Sequence, residues 1–432
     1  MAQLAIAGGT PVRTKPFTAW PLFDEREQQG LLAVLESRNW GGYPFPNKYA
    51  KAFAERFAER HTARYALCAA NGTVTIEIAL KACGIRPGDE VIVPAYTFEA
   101  TAVPVLKLGA IPVFVDVTSA NYCLDVEAAR AAITERTRAI IPVHLAMNMA
   151  DMDAIKDLAH QHDLRVVEDC AHAHGARWRG QGAGSLGDAG SFSMQTSKLL
   201  TAGEGGVVTT NDDELFERCE SYVNCGRASS TDRFKHRLLG YNYRMTEFQA
   251  AMLLAQLERL DAQTDVRAER AARLAQALAQ IDGIEILKRD ERQTTQAIYQ
   301  YVFKYNAEAF GGASRNRFVA ALEAEGVPCD GIFYEPMYRS ALFKVDAADF
   351  LQLNAKKLAW QHAHCPVAER AAYEEAVWLP HQLLLGDETE VDDIVEAIVK
   401  IQNNPDELRK AEHRLIDIKA MNRAERPKFE DS

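Results

Sequence analysis

From residue 65 onward, short apolar runs alternate with amphipathic stretches of about ten residues. "YALCAA" reads as a buried strand, and Asn71-Gly72-Thr73 turns the chain. "VTIEIALKACG" then keeps an apolar face at helical spacing and stops at Gly84. "DEVIVPAYTF", "IPVFVDV", "AIIPVHL" and "LRVVED" read as further strands. Between them, residues 99–108, "VEAARAAI" and "MDAIKDLAHQH" read as helices. Phe192-Ser193-Met194 marks another strand edge, and Gly205-Gly206-Val207-Val208 opens the strand after it. Such alternation predicts βαβ units, an α/β fold and a mostly parallel central sheet. Ligands of such sheets bind beyond the carboxyl ends of the strands, so the loops there hold the candidate chemistry.

The flanks have another texture. "WPLFDEREQQGLLAVLESRNWGG" predicts one short helix stopping at Gly41, and "PNKYAKAFAERFAERH" sets Phe53 and Phe57 on one helical face. "TEFQ" at residues 246–249 is a capping box. Met252, Leu253, Leu257 and Leu260 continue the helix that it opens, which is expected to run, with a bend, to Asp282-Gly283. The remainder mixes strands and helices as a smaller α+β lobe. The expected division is an N-terminal segment (1–50) packing near the active site, a large domain (51–265), a small C-terminal domain (266–404) and a charged tail (405–432). The tail is expected to start helical and to end in about ten disordered residues.

Composition narrows the function. The 432 residues, 47% of them hydrophobic, can bury a large core, and the net charge of −11 argues against nucleic acid or anionic membrane as main partners. The eight cysteines include no Cys-x-x-Cys pair, which fits reduced thiols in a cytoplasmic enzyme. No apolar run reaches transmembrane length, and the first residues lack a signal-peptide pattern.

Several residues could carry chemistry, and each has an ordinary reading beside it. Gly72 and Thr73, between a strand and a helix, could cradle a phosphate; alone, they are a common turn. Asp169, ending a buried strand, could hold a protonated ring nitrogen; a lone aspartate there is more often a cap. Cys170, His172 and His174 lack the spacing of a structural zinc site, and His362, His364 and Cys365 match no metal pattern either, so no metal is expected. Lys198, in "SFSMQTSKLLTAGEGGVVTT", follows Ser193 by five residues and Asp169 by twenty-nine. Lysine is the usual amine nucleophile toward carbonyl cofactors, although a loop lysine is usually only solvated. The ordered combination on alternating β/α units changes the balance.

These motifs resemble the DegT/DnrJ/StrS family of sugar and cyclitol aminotransferases, whose fold is type I of the pyridoxal phosphate enzymes. The pattern is collinear over roughly residues 15–400. It includes "NGT", "GDEVIVPAYTFEATA", "GAIPVFVDV", "AIIPVHL", "EDCAHAHGA", "FSMQTSKLLTAGEGGVV" and "GYNYRMTEFQAA". The resemblance implies a pyridoxal 5'-phosphate cofactor joined to Lys198 as a Schiff base. It implies that Gly72, Thr73 and Ser193 hold the phosphate, Phe98 stacks on the ring, Asp169 pairs with the ring nitrogen and His172 lies near the ring hydroxyl. Asn242 matches an asparagine that reaches the neighbouring subunit's phosphate, which implies a homodimer with shared sites. Nucleotide-sugar members commonly carry histidine where this chain has Gln195. "FSMQTSKLLTAGEGG" and "VWLPHQLLL" are closer to scyllo-inosose-type cyclitol aminotransferases and 3-amino-5-hydroxybenzoate synthases. The expected reaction moves an amino group from glutamine or glutamate to a keto-cyclitol or keto-sugar in secondary metabolism. A synthase joining dehydration to aromatisation and a nucleotide-ketosugar aminotransferase are the alternatives.

Overall fold

The computed structural model describes residues 2–227, 235–344 and 363–410. His362 of the second histidine–cysteine cluster, and the tail from residue 411 on, lie outside the described residues. Helix α1 (Glu25–Ser37) starts at Asp24, whose side chain caps it while Glu27 reaches back to form a capping box. It ends at Ser37, four residues before the expected stop at Gly41: Arg38 turns left-handed at φ 57° and donates its N–H to the Leu35 carbonyl, so no glycine is needed. Helix α2 (Lys48–Arg60) buries Phe53 and Phe57 completely. Each such ring contributes about 1.5–3 kcal/mol of transfer free energy.

The large sheet begins with β1 (Tyr65–Ala69), and α3 (Gly72–Ala82) follows on the Asn71 cap. Strands β2 (Glu90–Pro94), β3 (Ile111–Val115), β4 (Thr137–Ile140) and β5 (Arg165–Asp169) alternate with α4 (Val103–Lys107), α5 (Val126–Ala131) and α6 (Met152–Gln161). Two short strands, β6 (Arg177–Trp178) and β7 (Gln181–Gly182), precede β8 (Ala189–Ser193), β9 (Gly206–Thr210) and α7 (Asp213–Val223). The strand order is β1-β9-β8-β5-β4-β2-β3. Five of these strands pair in parallel, and β9 lies antiparallel between β8 and β1. Strand β1 therefore points the same way as β8, and six strands deliver their carboxyl ends to one edge.

Helix α8 (Glu247–Leu278) is a single helix of 32 residues opened by the Thr246–Gln249 capping box. It stops before Asp282-Gly283, and residue 265, the expected domain boundary, falls inside it. Beyond it lie β10 (Ile284–Ile286), β11 (Gln293–Thr295), β12 (Gln300–Tyr305), α9 (Arg315–Ala324), α10 (Pro366–Arg370), β13 (Ala376–Pro380), α11 (Glu388–Gln402) and α12 (Pro405–Lys410). Strands β10, β12 and β13 form an antiparallel sheet, and β11 pairs back to β6. Arg315, buried, ties this lobe together by donating to the carbonyls of Gly331, Ala372 and Ala376 at 2.6, 2.7 and 2.5 Å. No helix among the described residues is long and apolar enough to cross a membrane.

Candidate active site

A cavity of 700 Å³ opens at the edge where the six strands end. Gly72, Thr73, Phe98, Asp169, His172, Ser193 and Lys198 all line it. Asn242 does not: it is exposed, paired to Asn224 across an isolated bridge, outside the cavity of its own chain.

The first turn of α3 forms one end. Asn71 Oδ1 accepts the N–H of Val74, and the Asn71 carbonyl accepts that of Thr75. The N–H groups of Gly72 and Thr73 come earlier in the helix, where no intrahelical carbonyl reaches them. Together with the positive end of the helix they make an anion site. Ser193, the last residue of β8, closes against it. A Cβ on Gly72 would stand 2.6 Å from Ser193 Cβ, so only glycine lets strand and turn pack this closely. Thr75 Oγ1 shares a hydrogen bond with Ser191 Oγ at 2.7 Å and fixes the helix to the strand.

Asp169, the last residue of β5, lines the same cavity. It is buried, accepts from Thr101 Oγ1 at 2.7 Å and from the Ala171 N–H at 3.1 Å. Burial raises its pKa, against the pull of Thr101, Ala171 and the Lys198 charge. A cationic ring nitrogen beside it would hold it ionised. Phe98, also in the lining, leaves 55% of its surface open, as a core residue would not.

His172 is buried, and its protonation state can be read from its partners. Nδ1 accepts the Ala146 N–H at 3.1 Å, so the single proton of a neutral ring sits on Nε2, 3.1 Å from the Tyr334 hydroxyl. Burial, reinforced by the Lys198 charge, pushes its pKa well below the ordinary value and keeps it neutral. Lys198 itself lies under Tyr299, with Nζ 4.3 Å from the ring centroid. The turn before it is held from two distant segments. Trp20 Nε1 donates to the Thr196 carbonyl at 3.0 Å, and His381 Nε2 lies 3.2 Å from that of Ser197. Gln195 Oε1 accepts from both the N–H and the hydroxyl of Ser197.

Among the described residues, Cys170, His172 and His174 do not gather around one point that could hold zinc. His172 is committed to Ala146 and Tyr334, and His174 to the Ser193 carbonyl at 2.8 Å. Among the described residues, His144, Glu168 and Cys170 are the one group close enough to share an ion. Glu168 already accepts the N–H groups of Gly184, Leu186 and Gly187 and faces His144 Nε2 at 3.0 Å. His144 Nδ1 takes the Ala150 N–H, so Nε2 carries a proton and offers no lone pair.

Sequence reasoning missed Thr101, Tyr299, Phe333, Tyr334, Trp20 and His381. Thr101, three residues after Phe98, could have been flagged as the next polar position on that turn. Tyr299 of "AIYQY" and Phe333 and Tyr334 of "GIFYEP" carried no motif, and only folding brings them to the cavity.

An α/β sheet that collects a lysine, a buried carboxylate and an anion cradle at one edge defines a fold type I, aminotransferase-like protein. Residues 21–399 match the model of the DegT/DnrJ/EryC1/StrS aminotransferase family. The chain belongs to that family and is an aminotransferase. It is 45% identical to a Streptoalloteichus tenebrarius protein named as an L-glutamine:3-amino-2,3-dideoxy-scyllo-inosose aminotransferase, over 94% of this chain and 100% of the relative. It is 39% identical to the 3-amino-5-hydroxybenzoate synthase of Amycolatopsis mediterranei, over 88% and 96%. A crystal structure of 3-amino-5-hydroxybenzoic acid synthase superposes with a TM-score of 0.80 at 36% identity, covering 91% of this chain and all of the other.

Proposed function

We propose that the protein uses pyridoxal 5'-phosphate to move the amino group of L-glutamine to a keto-cyclitol in aminocyclitol biosynthesis, as a cytoplasmic homodimer with shared sites. The observation that carries this reading is the single cavity lined by Lys198, Asp169 and the Gly72–Thr73–Ser193 cradle. Its donor set fits the cofactor at both ends: N–H and hydroxyl groups for a phosphate, a buried carboxylate for a ring nitrogen, and an amine for the carbonyl. The keto-cyclitol reading draws on the cavity wall. Among the described residues lining it, the lysines are Lys198 and Lys107, and there is no arginine. Lys107 is held by Glu77 and by the Tyr243 hydroxyl, at 2.7 and 2.8 Å. Among the described residues lining it, a nucleotide diphosphate would meet no cation besides these two lysines, whereas a polyol ring would find amide and hydroxyl groups such as those of Gln195 and Thr97. The S. tenebrarius relative, named for an amino-bearing keto-cyclitol and L-glutamine, supports the same substrate class and donor.

When bound, the cofactor supplies an electron sink for the carbanion formed at the donor's α-carbon. The chain's own residues do the rest. Gly72, Thr73 and Ser193 anchor the phosphate. Asp169, once ionised, keeps the ring nitrogen protonated. Phe98 covers a ring face and excludes water. Neutral His172 would orient the ring oxygen without adding charge, and Lys198 Nζ would take the α-proton in the donor half-reaction and deliver a proton to the acceptor carbon in the second. In a homodimer, exposed Asn242 would be available to the phosphate of the partner's site.

The test is a pair of half-reactions. L-glutamine should convert the cofactor's absorbance from the lysine-bound form to the amine form, and a scyllo-inosose-type ketone should reverse it. No change with glutamine would remove the donor assignment. Reversal by a nucleotide ketosugar but not by the cyclitol would remove the acceptor assignment. The likeness to 3-amino-5-hydroxybenzoate synthases supports a second reading, and release of an aromatic product would favour it.

A further inference from the structure

Tyr299 meets both the Lys198 nitrogen and a side chain of the turn that carries it. It is 4% exposed and lies immediately before β12. Its ring stacks on His172, with centroids 4.1 Å apart and planes 26° apart, and carries Lys198 Nζ 4.3 Å from its centroid. Its hydroxyl lies 2.8 Å from Ser197 Oγ. Ser197 gives its one proton to Gln195 Oε1, so Tyr299 is the donor of that bond. The ring is therefore pinned at its rim by a hydrogen bond and at its face by an imidazole. It cannot turn away from the ammonium.

Resting on the aminotransferase reading above, we propose that the face of Tyr299 is the seat of the Lys198 ammonium whenever that nitrogen is not bonded to the cofactor. During turnover the neutral amine takes the donor's α-proton. The C–H bond breaks, an N–H bond forms, the electron pair passes to the bound ring system, and Lys198 becomes a cation. A ring quadrupole attracts that cation and lowers the barrier to forming it. His172, held neutral by burial, adds no opposing charge beneath the same ring. The seat has two effects of opposite sign. It favours proton removal, and it holds the ammonium back from capturing free cofactor.

The experiment replaces Tyr299 by phenylalanine and then by mono-, di- and trifluorophenylalanine, which keep the ring's size and drain its face of electron density. Two rates are read on the folded protein: α-proton removal from L-glutamine in a single half-reaction, and capture of pyridoxal phosphate by the apoprotein. Expected is a stepwise fall in the first, about 2- to 30-fold across the series, with a stepwise rise in the second. Tyr299→Phe loses the rim hydrogen bond to Ser197 but keeps the face, so it is the reference against which the fluorinated rings are read. A flat series in both rates overturns the proposal. So does a Tyr299→Phe variant already as slow as the trifluoro form, which would assign the effect to the hydroxyl. If the wild type shows no half-reaction with any amino donor, the functional reading fails, and the apoprotein capture series still decides the role of Tyr299.

Discussion

Replacing Gly72 by alanine tests the phosphate cradle at its tightest point. The new Cβ would stand 2.6 Å from Ser193 Cβ, 3.1 Å from its Cα and 3.2 Å from its Oγ. Carbon atoms prefer about 3.5–4.0 Å, so the overlap approaches an ångström. Ser193 cannot retreat freely, because it is paired with Gly206, and Gly206 itself packs against the Asn71 carbonyl with no room for a Cβ, 2.5 Å away. Overpacking of this kind costs about 1–3 kcal/mol. Alanine in place of glycine returns up to about 1 kcal/mol of helix propensity. Net stability should therefore fall by only about 0–3 kcal/mol. Cofactor affinity should suffer more, because the turn and Ser193 are pushed apart where the phosphate is expected. Loss of one hydrogen bond to a charged group, about 1.5–3 kcal/mol, weakens binding about 10- to 150-fold. Absorbance titration of apoprotein with pyridoxal phosphate measures this, with thermal unfolding as the control. Adding Ser193→Gly removes the Cβ and Oγ that collide. The double variant should regain stability relative to the sum of the single changes, while its affinity stays low for want of the hydroxyl. Wild-type affinity in Gly72→Ala would refute the cradle.

Three other outcomes follow from the same geometry. Asp169→Asn should preserve the fold and slow the glutamine half-reaction by at least ~10²-fold; stopped-flow absorbance checks it, and near-wild-type turnover would remove Asp169 as the ring partner. Burial depresses His61 and His174 from 6.5 to about 3. The unfolded chain then binds more protons than the folded one between those values, so stability is complete above pH 6.5 and falls as pH drops. The loss is about 2 kcal/mol per histidine at pH 5, and a melting temperature independent of pH from 8 to 5 would contradict it. Mixing Lys198→Ala with an inactivating Asn242 variant should restore some activity, because heterodimers place both lesions in one site and leave the other intact; heterodimers that form and stay inactive would refute shared sites.

The candidate site was legible where function coincides with local chain grammar. Asp169 ends a strand, Gly72 and Thr73 open a helix, and Ser193 and Lys198 stand at the end of another strand, so patterning alone put them at one edge. Tyr299 and Tyr334 were not legible, because nothing in "AIYQY" or "GIFYEP" distinguishes an aromatic residue in a site from one in a core. Trp20 and His381 meet the lysine turn through backbone carbonyls, and a carbonyl leaves no trace in the sequence of its partner. Two element ends also escaped patterning. Helix α1 stopped at Arg38, a residue with no glycine's licence for a left-handed turn. Strand β4 ended at Ile140 although the apolar run "AIIPVHL" continues. Pro142 lacks an N–H and cannot extend the ladder, but its carbonyl accepts that of Asp169 and helps fix the carboxylate.

The direction of β9 explains why these pieces converge. Were β9 parallel to β8, the chain would have to cross the sheet between them, and residues 194–205 would become part of that crossover. Because β9 is antiparallel, the connection is a tight return at the carboxyl edge, with Met194 N–H bonded to the Gly205 carbonyl and Thr196 N–H to that of Gly203. Lys198 sits on this return. The Gly205-Gly206 pair that follows is what the return requires: Gly205 has φ 154°, and Gly206 lets the new strand pass against the Asn71 carbonyl. The glycine cluster after the lysine is thus the structural condition that sets the amine beside the cradle at Gly72 and the carboxylate at Asp169. A side chain at Gly206 should displace the lysine turn and the cradle together, since one strand supports both.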